Sequence, residues 1–196
     1  MAAKSEYADE SIFVGVTLSG NGGKDQTNLR IRPDFNEEYQ LGYDLTKFGT
    51  TSEERPVLYM RNGGYNLAFR AINDNNAAIS QPMGVYCKAA GTYTFALSND
   101  YSRENIEAVY LYDAETQQTI NLMNDTYEFT TTGNLNTGER FYLSAVVRRP
   151  APQVTTDNEL VNEELPLTRK IILNGHVFIQ HGGKLFDITG KEMLNH

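Results

Sequence analysis

Apolar residues recur at every second position in short runs over much of the chain, and clusters of Gly, Asn, Asp and Pro separate the runs. A period of two puts one face of an extended chain in a core and the other outside, so the pattern predicts strands. Ile12-Phe13-Val14-Gly15-Val16-Thr17-Leu18 is the first run, and the glycine-rich stretch Ser19 to Asp25 reads as the turn that ends it. Leu29-Arg30-Ile31-Arg32 follows and stops at Pro33, which has no ladder donor. Pro56 to Met60 and Tyr65 to Ile72 flank Arg61-Asn62-Gly63-Gly64, the signal of a tight hairpin. Met83 to Cys87, Tyr93 to Leu97, Val109 to Asp113, Thr119 to Leu122, Tyr127 to Thr130 and Arg140 to Val147 complete the series. Roughly ten short strands spaced by about 8 to 12 residues predict an all-β fold, an antiparallel β-sandwich of jelly-roll or Ig-like type. Glu37 to Phe48 and Ser102 to Ala108 lack the apolar stripe and cap of an independent helix, and read as loops with room for a short helical turn.

The pattern changes at Arg148. Prolines and acidic residues replace the alternation from Arg149-Pro150-Ala151-Pro152 to Leu165-Pro166, as in an extended linker. Beyond it, Lys170 to Gly190 holds three short apolar runs punctuated by Asn174-Gly175, Gly182-Gly183 and Thr189-Gly190. The chain thus divides into a sandwich domain over 1–148, a linker over 149–168 and a β-hairpin tail over 169–196. Two hairpins of this size bury too little surface to stand alone, so the tail is expected to dock on something or to remain loosely ordered.

Charge and cysteine content narrow the function. The 196 residues carry 17 Lys+Arg against 25 Asp+Glu, a net charge of -8, which leaves no broad positive field for nucleic acid or an anionic membrane surface. No apolar run reaches the roughly 18 residues of a transmembrane helix. The start, Met1-Ala2-Ala3-Lys4, is not a secretory leader, so for an exported protein the leader and the upstream region belong to a longer polypeptide. Cys87 is the single cysteine and has no partner for a disulfide or a zinc site.

The tail has a familiar grammar. Asn174-Gly175, Val177-Phe178-Ile179, Gly183-Lys184-Leu185-Phe186-Asp187-Ile188-Thr189-Gly190 and Met193-Leu194 resemble the C-terminal element of many secreted and surface proteins of Bacteroidetes. Leu18 to Thr27, Leu41-Gly42-Tyr43-Asp44, Pro56-Val57-Leu58-Tyr59, Met83-Gly84-Val85, Val109 to Asp113, Tyr127-Glu128-Phe129 and Arg140-Phe141 resemble the β-sandwich module that precedes it in those proteins. The resemblance spans most of the chain. It implies an exported or cell-surface protein whose last hairpins act as a type IX secretion sorting signal, with Asn174, Gly175, Phe178, Gly183, Phe186, Asp187 and Gly190 as its marks. The implied partners are the secretion machinery or upstream domains of the same polypeptide.

A search for catalytic chemistry leaves weak signals. His176, His181 and His196 are the only histidines; a metal pair at His176 and His181 lacks a third ligand, and exposed strand-end residues are the simpler reading. Cys87 sits in an alternating run with no histidine before position 176, so it reads as a core thiol rather than a nucleophile. Glu37, Glu38, Asp44, Glu53, Glu54, Glu107 and Asp113 would supply a carboxylate pair for a glycoside hydrolase, but 25 acids make some such pair inevitable. Ser19 to Asp25 lacks the Gly-Lys-Ser/Thr of a phosphate loop; a weak calcium contact from Asn21 and Asp25 ranks behind plain turn chemistry. The expectation is a non-enzymatic module with no catalytic residue, metal or cofactor. Twelve tyrosines supply the alternative, an adhesin or glycan-binding sandwich that stacks sugar on an exposed face built from Tyr59 and Tyr65 or from Tyr110 and Tyr112.

Overall fold

The computed structural model describes residues 11–99, 101–148, 168–173, 176–181, 184–187 and 191. Strand β1 (Ile12–Gly20) turns through Asn21 and Gly22 into β2 (Gly23–Ile31), with Gly20 opposite Gly23. Asn21 and Gly22 both have positive φ, 51° and 75°, the two-residue turn whose twist matches the flanking strands. The strands therefore run further than the polar stretch Ser19 to Asp25 suggests, because polar residues on a solvent face look like loop. The remaining elements of the body are β3 (Leu45–Thr46), β4 (Val57–Asn62), β5 (Tyr65–Ile72), the one-turn helix α1 (Asp74–Ala77), β6 (Gln81–Cys87) and β7 (Gly91–Leu97). After a 3-10 turn at Arg103–Asn105 come β8 (Ile106–Asp113), β9 (Gln118–Asn121), β10 (Tyr127–Thr131) and β11 (Leu135–Val147).

The body is nearly all β, as the alternation predicts. Its strands are hydrogen-bonded into a single 11-stranded sheet, in the order β10-β7-β1-β2-β5-β4-β6-β11-β8-β9, with β3 added to β5. This differs from an antiparallel two-sheet sandwich in two ways: the ladder is continuous, and β2 pairs with β5 in parallel. Alternation reports which face of a strand is buried and is silent about its neighbour. The three residues Lys88–Ala90 carry the chain from β6, paired with β4 and β11, to β7, paired with β1 and β10 on the other arm of the sheet.

The sheet curls until its two ends approach. Its inner face buries Val14, Val16, Leu18, Leu29, Ile31, Leu58, Met60, Met83, Val85 and Leu143 in one cluster. Phe95 of β7 and Phe129 of β10 meet Phe141 of β11 from the opposite end, with ring centroids 4.9 and 4.8 Å from that of Phe141. Each such aromatic pair adds ~0.5–1.5 kcal/mol to the area it buries. Side chains complete the seam. Tyr127 of β10 donates its hydroxyl to Asp113 Oδ2 of β8 at 2.7 Å, and the Arg140 guanidinium of β11 grips the same carboxylate at 2.8–3.1 Å. The result is a nearly closed, barrel-like body.

Three further strands, β12 (Thr168–Leu173), β13 (His176–His181) and β14 (Lys184–Asp187), form a separate antiparallel sheet. Ile171 and Phe178 of this sheet cluster with Ala108, Tyr110 and Val146 on the outer face of β8 and β11. The tail is thus docked. Gln180 is fully buried at β13 with neither amide atom hydrogen-bonded.

Candidate binding surface

The tyrosines singled out by sequence are mostly inside. Tyr59 lies buried across Gly84, its register partner, whose missing side chain leaves room for the ring: a Cβ there would stand 2.1 Å from it. Tyr110 is buried under the tail, and burial, with Glu107 nearby, pushes its phenol up to about 12. Tyr112 is buried too, with its ring 6.2 Å from that of Tyr142. The pairs Tyr59/Tyr65 and Tyr110/Tyr112 therefore do not stand exposed side by side. Tyr65 alone of the four is open, at 48% exposure.

Tyr65 does have an aromatic partner. Its ring stacks on Tyr39, with centroids 4.3 Å apart and planes 20° apart. Tyr39 belongs to the loop that leads into β3, and the loop is held by one buried carboxylate. Asp44 accepts the backbone N–H groups of Ala71 at 2.6 Å and Gln40 at 2.7 Å, so its two oxygens fix the loop to β5 and to itself. Gly42, at φ 90°, makes the turn inside it. This anchored strap carries Leu41 and Phe48, which are 87% and 93% exposed. Beneath it, Phe13 and its register partner Arg30 line an open groove of about 620 Å³ together with Tyr43 and Phe69. The Arg30 guanidinium lies 5.4–5.8 Å from the ring centres of Phe13, Phe35 and Tyr43. Large apolar side chains held in water by a fixed scaffold mark a contact surface.

The β4–β5 hairpin and the start of β6 enclose a smaller hollow of about 260 Å³, lined by Arg61, Arg70, Ser80 and Glu37 among others. Sequence reasoning does not single out Arg61 or Arg70, because two basic residues nine positions apart form no motif.

Of the carboxylate candidates, Asp44 and Asp113 are buried and bonded, Glu107 is half-buried, and Glu37, Glu38, Glu53 and Glu54 are exposed, with Glu53 3.6 Å from Lys88. Asp25 takes Lys47 at 2.7 Å, Arg55 at 3.1 Å and the Leu58 N–H at 2.9 Å, so the turn carboxylate is an internal anchor and not the open ligand a calcium contact needs. Burial raises the Asp113 carboxyl, but hydrogen bonds from Arg140, Tyr127 and the Glu115 N–H outweigh it and hold the group below the usual carboxylate range. Cys87 is buried, and burial pushes its thiol up to about 12 despite a hydrogen bond with Tyr93. Among the described residues, no three His, Cys, Asp or Glu side chains gather in a metal-binding group, and no helix is long and apolar enough to cross a membrane.

Of the tail positions, Phe178 is buried against the body, while Phe186 and Asp187 are half-buried. Asp187 is bonded to Lys191: its N–H donates to the Lys191 carbonyl at 2.9 Å and its Oδ1 accepts the Lys191 N–H at 3.0 Å. Asn174, Gly175, Gly183 and Gly190 lie outside the described residues. No family model, curated protein or solved structure matches the chain.

Proposed function

We propose that this chain is a non-enzymatic structural module at the C-terminal end of an exported or cell-surface protein of Bacteroidetes type, and that its tail is a type IX-like export address. In this reading the two walls of the curled sheet serve as the faces of a sandwich of jelly-roll or Ig-like kind, over 1–148. The linker of this reading, 149–168, lies outside the described residues except for Thr168, which opens β12. The observation that carries the reading is the tail's construction: among the described residues its strands ladder with one another and not with the body, and Ile171 and Phe178 join the apolar cluster on the body's outer face. Such a sheet offers strand edges to a receptor while the body keeps its own ladder. The buried carboxylates Asp25, Asp44 and Asp113 support the non-catalytic side, because each already holds backbone or cationic partners. Sufficiency is the test. Residues 168–196 fused behind a soluble reporter should carry it to the cell surface of a host with type IX secretion, and a reporter left in the periplasm would dismiss the address.

A second reading, glycan binding by an adhesin-like module, is favoured by the Tyr39–Tyr65 stack. Tyr65 presents an open ring face of the kind that packs on sugar. Binding to an oligosaccharide panel that disappears in Tyr65→Ala would support this reading; binding unchanged by the substitution would remove its motivation.

A further inference from the structure

The hollow under the β4–β5 hairpin contains a buried charge with no ion-pair partner among the described residues. Arg70 is 6% exposed, and burying a guanidinium is expensive unless an anion or a full set of acceptors receives it. Its Nη1 donates to the Arg61 carbonyl at 2.9 Å, and its Nε has no partner. Among the described residues, no carboxylate stands within ion-pair distance of it. Burial lowers the arginine's proton affinity, while Asp44 and Glu37 act on it only through space. Ser80, a residue of the same lining, adds a second sign: its Oγ is buried just beneath and is also without a partner. Arg61 brings a second guanidinium to the lining, held by Nη1 on the Gly138 carbonyl at 3.2 Å. The one acid in the lining, Glu37, is exposed, so two arginines face it.

We infer that this hollow is an anion subsite which takes the carboxylate or sulfate group of an acidic sugar, with the sugar ring lying against Tyr65. The placement follows from the chain. Asn62 is the register partner of Tyr65 across the hairpin, its Nδ2 donates to the Glu37 carbonyl at 3.1 Å, and Glu37 stands two residues before Tyr39. Glu37 and Asn62, which line the hollow, thus tie it to the segments that carry Tyr39 and Tyr65. About 260 Å³ is small beside the roughly 300–1,000 Å³ of drug-sized pockets, and it suits the ionised group rather than the whole sugar. Arg70 Nε and Ser80 Oγ–H would donate to the oxyanion from below, and Arg61 from the side, in the charge-assisted geometry that guanidinium groups favour. The ring against Tyr65 rests on the glycan reading above; the anion in the hollow does not.

The test uses the full chain and three probes: sodium sulfate, sodium glucuronate, and a glucuronate-containing disaccharide set against its neutral glucose counterpart. Calorimetric titration should show the disaccharide binding at least tenfold more tightly than the neutral sugar. At a hundredfold excess over Kd, the unfolding midpoint should rise by about 5 °C or more. Arg61→Gln and Ser80→Ala should each weaken all the acidic probes several-fold to tenfold without loss of fold, and Glu37→Gln should tighten them. Tyr65→Ala should weaken the disaccharide and leave sulfate unchanged. Binding of sulfate and glucuronate that depends on Arg61 but not on Tyr65, with nothing gained from the disaccharide, would keep the anion site and overturn the sugar. No binding by any acidic probe, or equal binding by Arg61→Gln, would overturn the site.

Discussion

Tyr127→Phe removes one hydroxyl from the seam and leaves the ring in place, so it isolates the side-chain bond that joins the two ends of the sheet. That hydroxyl donates to Asp113 Oδ2 at 2.7 Å in a buried setting, and Thr116 Oγ1 lies 3.2 Å from it. A hydrogen bond to a charged group is worth ~1.5–3 kcal/mol when its donor is deleted. A chain of this size shifts by roughly 2–4 °C per kcal/mol, so the unfolding midpoint should fall by about 3–12 °C at neutral pH. The pH dependence carries the sharper signature. Burial alone would raise the Asp113 carboxyl, and the bonds from Arg140, Tyr127 and the Glu115 N–H more than reverse this, so its folded value lies below its unfolded one. Such a depressed acid contributes stability that is fully present above the unfolded value, near 4, and is lost as pH falls through the folded value. Without the Tyr127 donor the folded value rises, so the variant should lose stability at higher pH than the parent during acid titration. Circular dichroism melts from neutral pH down to about pH 2 make the comparison. A midpoint within 1 °C of the parent and an unchanged acid limb would refute the seam.

Phe178→Ala should loosen the tail from the body: the Tyr110 phenol, held up to about 12 by burial, should then titrate nearer 10 by NMR of isotope-labelled tyrosine. An unmoved Tyr110 titration would mean that Phe178 does not cover it. Gly84→Ala drives a methyl into the Tyr59 ring, and overpacking of this kind should cost about 1–3 kcal/mol in a denaturant melt; a neutral effect would show that the ring has room to move. Cys87, buried with its thiol pushed up to about 12, should resist a thiol reagent at neutral pH in the folded protein and react fully in denaturant. Fast native labelling would place it at the surface.

The sequence carries the strands well and their pairing poorly. Val14, Val16 and Leu18 against Phe13 and Thr17 state which face is inside, and Asn62-Gly63-Gly64 states a hairpin, because both signals are local. The parallel β2–β5 pair, by contrast, joins Asn28 to Phe69 across 40 intervening residues, and no nearby residue type encodes it. The same limit applies to the surface. Alternation puts Tyr110 and Tyr112 on one face of β8 and Val109 and Leu111 on the other without saying which is the core, and the docked Ile171 and Phe178 of the tail explain why Tyr110 is buried on the outer face. Leu41 and Phe48 look like core residues by type, and water surrounds them because Asp44 fastens their loop outside the sheet. Arg61 and Arg70 meet across neighbouring strands, where Arg70 Nη1 donates to the Arg61 carbonyl, and not through a spacing that a motif search would register.

The decisive comparison is the cellular destination of the full-length protein with and without residues 168–196, made together with thermal melts of the two purified forms. An export address docked through Ile171 and Phe178 predicts that the shortened protein stays inside the cell envelope, folded, with its midpoint lowered by only a few degrees. Normal surface delivery of the shortened protein, with a collapsed midpoint, would make the tail a structural part of the body and contradict the address.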